Sequence, residues 1–147
     1  MLIIETNEVL LELRKKHNLS QYEMAEKLFV TRQAVSHWEN GETVPNTDTL
    51  KIISKVFGVS INFLLGQPQN TTCQVCGSPL DENNYSQEFD GTVNDKYCKW
   101  CYIEGIHKYH DMEEVINDVV PRWNWGTQEQ MSDWLRKKLA DLEYWKA

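Results

Sequence analysis

Two Cys-x-x-Cys pairs constrain the C-terminal half of this chain more than any other feature. The pairs are Cys73 with Cys76 and Cys98 with Cys101, and 21 residues lie between them. A Zn²⁺ ion takes four thiolates at the corners of a tetrahedron, and each Cys-x-x-Cys turn supplies two of them. Because the N-terminus carries no signal-peptide pattern, the pairs are typical of a zinc site rather than of disulfides. The sequence therefore predicts one Zn²⁺ per chain, held by these four cysteines.

Other interpretations of the cysteines stay open. One is that the four cysteines are unpaired core residues. Another is that they form two reversible vicinal disulfides of a redox switch. His107 and His110 follow the second pair and are further candidate ligands. Four thiolates already close the coordination shell of zinc, however. We therefore expect both histidines to be surface residues.

The N-terminal half is predicted to contain five short helices and no strand. Ser20 and Glu23 form a capping box, in which each side chain accepts a hydrogen bond from the other's backbone N–H. Thr31 caps the third helix, which stops at Asn40-Gly41. Ser60 caps the last helix. The predicted helices span about 6–17, 21–28, 32–39, 46–57 and 61–66.

One face of the third predicted helix is polar and carries no acidic side chain. The 3.6-residue period of a helix places its four polar residues together, opposite an apolar stripe. In the major groove, Arg pairs with guanine and Gln with adenine, and Ser and His are adaptable partners. A solvated face of a small bundle has the same pattern, so the residues alone leave both interpretations open. The predicted base-contacting residues are Arg32, Gln33, Ser36 and His37.

Several segments of the first half form one longer pattern. They are Leu19-Ser20-Gln21, Met24-Ala25, Leu28, Val30-Thr31-Arg32-Gln33-Ala34-Val35-Ser36-His37-Trp38-Glu39-Asn40-Gly41, Pro45, Thr49-Leu50 and Phe57-Gly58-Val59-Ser60. This pattern, over residues 9–66, resembles the five-helix DNA-binding domain of phage repressors and of the XRE/Cro family of bacterial regulators. The resemblance implies that Gln21 holds a phosphate and that Asn40 touches the DNA backbone. Thr31, at the start of the third helix, completes the expected contact set.

The resemblance also places Arg14 and Glu39 in a buried ion pair that ties the first helix to the third. Two positions depart from the family pattern. Phe29 stands in the turn where relatives usually carry glycine, and a bulky residue at positive φ is strained. We therefore expect the turn to differ locally, or Phe29 to pack against a partner. His37 stands where relatives often carry Lys or Arg, so sequence preference does not transfer from relatives.

The net charge of −7 is unevenly distributed along the chain. Residues 1–66 hold seven Lys/Arg against eight Asp/Glu, whereas residues 67–147 hold eight against fourteen. Contact with DNA is therefore expected from the first half. The polar segment 67–72 has the composition of a linker. The predicted domains are 1–66, a DNA-binding helix-turn-helix domain, and 73–147, a four-cysteine domain with C-terminal helices.

The second half is predicted to contain loops and short β-hairpins up to the last cysteine, followed by two helices. Asp111 caps a helix that Pro121 stops, and Thr127 forms a capping box with Gln130. That last helix is expected to run to about Tyr144, with Met131, Leu135, Leu139 and Leu142 on one face. Five tryptophans are expected to supply buried area: Trp100, Trp123, Trp125, Trp134 and Trp145.

The cysteine segments extend into a second longer pattern. It comprises Cys73-Gln74, Cys76-Gly77, Pro79-Leu80, Asp90-Gly91, Tyr97-Cys98, Cys101-Tyr102, Gly105 and Met112-Glu113-Glu114-Val115-Ile116. The pattern, over about 73–120, resembles a zinc-ribbon domain found alone or appended to bacterial regulators. It implies a zinc site and a fold, but no ligand.

Together these features predict a mainly α, cytoplasmic protein that regulates transcription, with a repressor as the favoured form. It would bind double-stranded DNA as a homodimer on a palindromic operator, without a membrane partner. An alternative is an antitoxin-like or adaptor protein whose zinc domain binds a protein partner and whose helix-turn-helix autoregulates. An enzyme is not expected, because four thiolates leave zinc no position for water and no catalytic triad or phosphate loop occurs.

Overall fold

The computed structural model describes residues 5–146. Residues 1–4, part of the N-terminus for which no signal peptide is predicted, lie outside the described residues. The chain divides into two compact units. The first extends to Gln69 and includes Gly91–Val93, and the second consists of Asn70–Asp90 and the chain from Asn94 onward.

The first unit is a bundle of five helices. No strand occurs between residues 5 and 66, as predicted. Each predicted cap is present: the capping box of Ser20 and Glu23 is complete, and the Ala34 N–H donates to Thr31 Oγ1 over 3.1 Å. The helices are α1 (Thr6–Lys16), α2 (Gln21–Leu28), α3 (Arg32–Glu39), α4 (Thr47–Phe57) and α5 (Ile61–Leu64).

The core of the first unit is aliphatic apart from one tryptophan. Helix α2 packs most extensively against α3, and Ala25 is buried on α2, where a small side chain lets a crossing helix approach. Full burial of one leucine or isoleucine contributes roughly 1.5–3 kcal/mol, so this core fixes the position of α3. Its buried members are Val9, Leu10, Leu13, Met24, Ala25, Leu28, Val35, Trp38, Leu50, Ile53 and Leu64.

The second unit combines two short strand pairs with helices. Strand β1 (Tyr85–Gln87) pairs with β2 (Val93–Cys98). Strands β3 (Tyr102–Ile103) and β4 (Ile106–His107) form an antiparallel hairpin, in which Tyr102 lies opposite His107. The predicted mainly α fold, with short strand pairs around the cysteines, is confirmed.

Two α-helices complete the second unit. Helix α6 (Met112–Val119) is capped by Asp111 as predicted, and a 3₁₀ turn at Val120–Arg122 follows it. Helix α7 (Gln128–Ala140) starts with the predicted capping box of Thr127 and Gln130, and Glu143–Trp145 form a second 3₁₀ turn. No helix within residues 5–146 is both long enough and apolar enough to cross a bilayer.

The prediction that the last helix reaches Tyr144 is wrong, because α7 ends at Ala140. Leu142 is already extended, and the residues beyond it bond to distant backbone. Tyr144 Oη donates to the Tyr109 carbonyl and Trp145 Nε1 to the Val75 carbonyl, each over 2.7 Å. These tertiary bonds favour a turn over continued helix.

The expected burial of the tryptophans is also wrong for three of them. Trp100, Trp125 and Trp134 are 57%, 45% and 47% exposed. Smaller residues and the cysteines fill the core of the second unit instead, which leaves these large rings at its surface. The buried members are Cys73, Val75, Leu80, Cys98, Cys101, Tyr109, Val115, Ile116, Val120, Met131, Leu135 and Leu139.

Candidate DNA-reading helix and metal centre

The polar face of α3 is open to solvent. Arg32, Gln33 and His37 are exposed and Ser36 is half-buried, while Val35 and Trp38 are buried on the opposite side. The period of a helix accounts for this division. The structure thus brings the four predicted base-contacting side chains together on one face of a helix whose other face is anchored in the core.

A bidentate ion pair joins α3 to α1, as expected. Arg14 Nε donates to Glu39 Oε2 over 2.7 Å, and Arg14 Nη2 donates to Glu39 Oε1 over 2.9 Å. Their side chains are 17% and 5% exposed, so the pair is largely withdrawn from water. The hydrogen bond to Glu39 raises the pKa of Arg14. Arg14 Nη1 also donates to the Leu19 carbonyl, which places α2 beside the same pair.

Gln21 joins this ion pair at the start of α2. Its Nε2 donates to Glu39 Oε1 over 3.2 Å, which orients the amide while leaving its second N–H free of that bond. Thr31 and Asn40 are exposed at the two ends of α3. Gln21 and Asn40, expected at the DNA backbone, and Thr31, the remaining residue of the expected contact set, therefore lie at helix ends.

An acidic neighbour of the α3 face was not anticipated from the sequence. Glu42 Oε2 lies 3.6 Å from His37 Nε2, and both side chains are at least half exposed. Glu42 follows the end of α3 by three residues, and the turn at Gly41, with φ of 77°, brings it back to the helix. A protonated His37 would thus be partly neutralised by this carboxylate.

Phe29 adopts the conformation expected of the glycine that it replaces. Its φ and ψ are 58° and 40°, in the left-handed region, and 86% of the residue is exposed. The expectation that the turn between α2 and α3 differs locally is therefore wrong, while packing of Phe29 against a partner stays a prediction. A side chain in this conformation costs roughly 1–2 kcal/mol. The ring does not recover that cost by burial.

The four cysteine sulfurs converge in the second unit. Their Sγ atoms lie within 4.8 Å of one another, and Cys76 Sγ is 3.8 Å from Cys98 Sγ. A Zn–S bond of about 2.3 Å places the corners of a tetrahedron roughly 3.8 Å apart. The four sulfurs therefore fit a tetrahedral Zn²⁺ ion, and they are the donor atoms that zinc prefers.

Backbone amides and a hydroxyl surround the sulfurs. Cys73 Sγ accepts from the N–H groups of Val75 and Cys98, over 3.5 and 3.3 Å. Ser78 Oγ lies 3.1 Å from Cys76 Sγ. The residue after Cys76 is Gly77, whose φ of 77° lies in the left-handed region that glycine adopts without steric cost. These contacts orient the sulfurs and stabilise thiolate charge.

The crowded thiols alter one another's acidity. Hydrogen bonds with the other cysteines, that with Cys101 above all, lower the pKa of Cys73. Hydrogen bonds with Cys73, Cys76 and Cys98 raise the pKa of Cys101. Four adjacent thiolates repel one another, so complete ionisation requires a cation at their centre.

His107 is half-buried among tyrosine rings, so the prediction that it is a surface residue is wrong. Its ring stacks on Tyr144 at a centroid distance of 4.4 Å and meets Tyr97 and Tyr102 edge-on. Burial lowers its pKa, and its Nδ1 is buried without a hydrogen-bond partner among the described residues. His110 is exposed, as predicted. Among residues 5–146, the group of side chains placed to hold a metal ion consists of the four cysteines, and neither histidine belongs to it.

Two protein families match this chain, and together they span most of it. Residues 10–64 match the family described as "Helix-turn-helix", and residues 72–146 match the family described as "Putative zinc ribbon domain". The second match covers half of the chain. The chain thus combines an XRE-type helix-turn-helix domain with a zinc ribbon.

The relatives and the solved structure described next each match less than half of this chain. The HTH-type transcriptional activator BcrR of Enterococcus faecalis is 50% identical over 62 residues, 42% of this chain and 30% of that protein. The antitoxin PezA of Streptococcus pneumoniae is 36% identical over 55 residues, 37% of this chain and 35% of that protein. This chain spans about a third of the length of both relatives. The P22 c2 repressor in complex with synthetic operator 9T is 31% identical, with a TM-score of 0.43, covering 44% of this chain and 98% of that chain.

Proposed function

Because this chain belongs to the zinc ribbon domain family and carries an XRE-type helix-turn-helix domain before the ribbon, we propose that it is a sequence-specific DNA-binding regulator of transcription. The observation that carries the proposal is the exposed polar face of α3, held in place by the Arg14–Glu39 ion pair. The HTH-type transcriptional activator BcrR is similar to this chain over 62 residues. We favour a repressor.

The residues of α3 supply the chemistry of base recognition. Arg32 can donate two hydrogen bonds to guanine O6 and N7, and Gln33 can pair with adenine N6 and N7. Ser36 and His37, one turn further along α3, are adaptable donors and acceptors. Each well-placed two-bond contact discriminates against a wrong base by about 1–3 kcal/mol.

The residues at the helix ends would position the domain on the phosphates. Gln21 has an amide N–H left to donate to a phosphate oxygen, and its bond to Glu39 fixes the amide. Thr31 Oγ1 accepts from the Ala34 N–H, and its own O–H can donate to a phosphate. Asn40 would touch the backbone at the other end of α3. Positive dipole ends at the starts of α2 and α3 favour the same contacts.

Zinc, one ion per chain, is proposed to hold the second unit together. Cys73, Cys76, Cys98 and Cys101 would be its ligands, and the ion would supply the cation that the crowded thiols require. Four thiolates around one divalent ion carry a net charge of about −2. That charge adds to the acidic excess of the C-terminal half, so this unit would be repelled by DNA. Its role would be assembly or signal reception.

The regulator is proposed to work as a homodimer in the cytoplasm. One helix-turn-helix domain reads a half-site, and a dimer fixes two half-sites at one helical turn or a multiple of it. The operator would therefore be palindromic. No catalytic reaction is proposed, since a closed shell of four thiolates leaves no position for a reacting water.

An antitoxin-like protein is the second candidate, favoured by the match to the antitoxin PezA over 55 residues. In that case the zinc unit would bind a protein partner, and DNA binding would regulate the chain's own gene. Co-purification of one small protein at equal molar ratio would favour this candidate over the first.

Selection of binding sites from random duplex DNA tests the proposal. The zinc-loaded full chain is expected to enrich one sequence with two-fold symmetry, bound by two chains. Footprinting would then place both α3 helices in successive major grooves on one side of the duplex. Failure to enrich any sequence, at a salt concentration that permits binding, would contradict the proposal.

A further inference from the structure

A cavity of about 550 Å³ opens in the second unit, between α7 and the first cysteine turn. Pockets for small molecules in proteins are typically ~300–1,000 Å³. Trp123 and Trp134 line it together with Leu135 and Leu142, and Ser78 lies on the side of the cysteine turn. All of its lining residues belong to the second unit.

Trp134, which lines this cavity, and Trp125, which lies beside Trp134, are more exposed than core residues. Trp134 is 47% exposed, and the neighbouring Trp125 is 45% exposed. Trp123 and Trp125 stack with centroids 6.0 Å apart, and Trp134 meets Trp123 edge-on at 5.8 Å. The cluster fixes the rings while leaving part of their area open. Such a rigid, open aromatic wall can take a flat ligand by stacking or a cation by cation–π attraction.

The polar groups of the cavity favour a cation. The Asp141 carboxylate lines it at the carboxyl end of α7, where the helix dipole is negative. Cys76, which would be a thiolate with zinc bound, also lines the cavity. A cation already occupies the aromatic wall, because Lys138 Nζ lies 5.4 Å from the centre of the Trp134 ring. A lysine side chain is flexible, so a ligand cation can displace this ammonium.

We propose that this cavity binds a flat aromatic cation, which stacks on Trp134 and Trp123 and places its positive charge towards Asp141. The site does not depend on the DNA-binding proposal, because no residue of the first unit takes part. It provides the second unit with a means of recognising a small molecule.

Matched probes test the charge preference. The zinc-loaded full chain would be titrated by calorimetry with 1-methylquinolinium, with the neutral near-isostere quinoline at pH 7.5, and with naphthalene-1-carboxylate. The cation is expected to bind about tenfold more tightly than quinoline. The carboxylate should bind more weakly than either. Quenching of tryptophan fluorescence by the cation reports stacking on the indole rings.

Three variants and one control locate the bound probe. Asp141→Asn should remove the preference for the cation and leave quinoline binding unchanged. Trp134→Leu should weaken both probes about tenfold. Lys138→Gln should strengthen binding of the cation, since it removes the competing ammonium. Asp133→Asn is the control: Asp133 is on the same helix and exposed, but does not line the cavity, so binding should not change.

Three results would overturn the proposal. The first is no saturable binding of 1-methylquinolinium by folded, zinc-loaded protein. The second is tighter binding of naphthalene-1-carboxylate than of the cation, abolished in Lys138→Gln, which would make the cavity an anion site. The third is an equal loss of cation binding in Asp141→Asn and Asp133→Asn, which would reflect the net charge of the chain rather than this cavity.

Discussion

The two units contain the same kind of ion pair in opposite settings. In the first, Arg14 and Glu39 form two hydrogen bonds, and their side chains are 17% and 5% exposed. In the second, Arg136 forms two hydrogen bonds with Glu113 at similar distances, but these side chains are 43% and 52% exposed. The first pair joins two helices that already pack around an aliphatic core. The second pair lies on the surface of a unit whose core includes the cysteines. Geometry alone therefore does not indicate what stabilises each unit.

Loss of the metal should have the largest effect, and it should be confined to the second unit. A structural zinc site contributes on the order of 10 kcal/mol of apparent free energy. In the double variant Cys98→Ser, Cys101→Ser, we expect the near-ultraviolet circular dichroism of the second unit's aromatic rings to disappear. Metal analysis of wild-type protein purified without added metal should find one zinc per chain.

The helices of the first unit should still melt cooperatively in that variant. Retention of the near-ultraviolet signal in the metal-free variant would contradict the assignment. So would disulfides, without metal, in wild-type protein expressed in the cytoplasm.

The buried ion pair should have the next largest effect. Arg14→Ala leaves the Glu39 carboxylate withdrawn from water without its partner, and should lower the free energy of unfolding of the first unit by about 3 kcal/mol. Urea denaturation of residues 1–69, in which Trp38 is the single tryptophan, measures this by fluorescence and helical circular dichroism. Arg136→Ala, the matched control, should leave the stability of the second unit unchanged within error, because its partner is solvated. Similar destabilisation by both variants would contradict the distinction between the units.

The bases should be read by the first unit alone. At the selected operator, Arg32→Ala or Gln33→Ala should each weaken binding by about 1–3 kcal/mol and relax the preference at one base pair. Lys51→Ala removes an exposed charge from α4, and should preserve the preference at every base pair. Unchanged sequence preference in both α3 variants would refute the assignment.

The smallest effect is expected at the turn between α2 and α3. Phe29→Gly should stabilise the first unit by about 1 kcal/mol, because glycine adopts the left-handed conformation without steric cost. Chemical denaturation measures the change. In the second unit, Glu104 is likewise a non-glycine residue with a positive φ, of 49°. A loss of stability in Phe29→Gly would mean that the ring makes a contact that offsets its strain.

Local features of this fold were predictable from the sequence, and tertiary ones were not. The caps at Ser20, Thr31 and Thr127 were predicted because each requires only a side chain and a backbone N–H two or three residues away. The cysteine cluster was predicted because its spacing reflects the geometry of a metal. The end of α7 was not, because bonds from Tyr144 and Trp145 to distant carbonyls determine it.

Burial in the second unit was the least predictable property. Trp134 was expected to be buried and His107 to be exposed. Instead the tryptophan is half exposed, and the histidine lies among three tyrosines. Hydrophobicity alone would place them the other way round. Their positions depend on which rings the β3–β4 hairpin and the end of the chain bring together, and no short sequence pattern encodes that.

The salt dependence of operator binding tests most directly the central claim that DNA is bound by the first unit and not by the zinc unit. The full chain, residues 1–69 and residues 70–147 would be titrated with operator between low and physiological salt. The slope of log Kd against log salt reports the phosphates neutralised. We predict the same slope per helix-turn-helix domain for the full chain and for residues 1–69, with weaker affinity for the fragment, and no binding by zinc-loaded 70–147. Strongly salt-dependent binding by residues 70–147 would contradict the account.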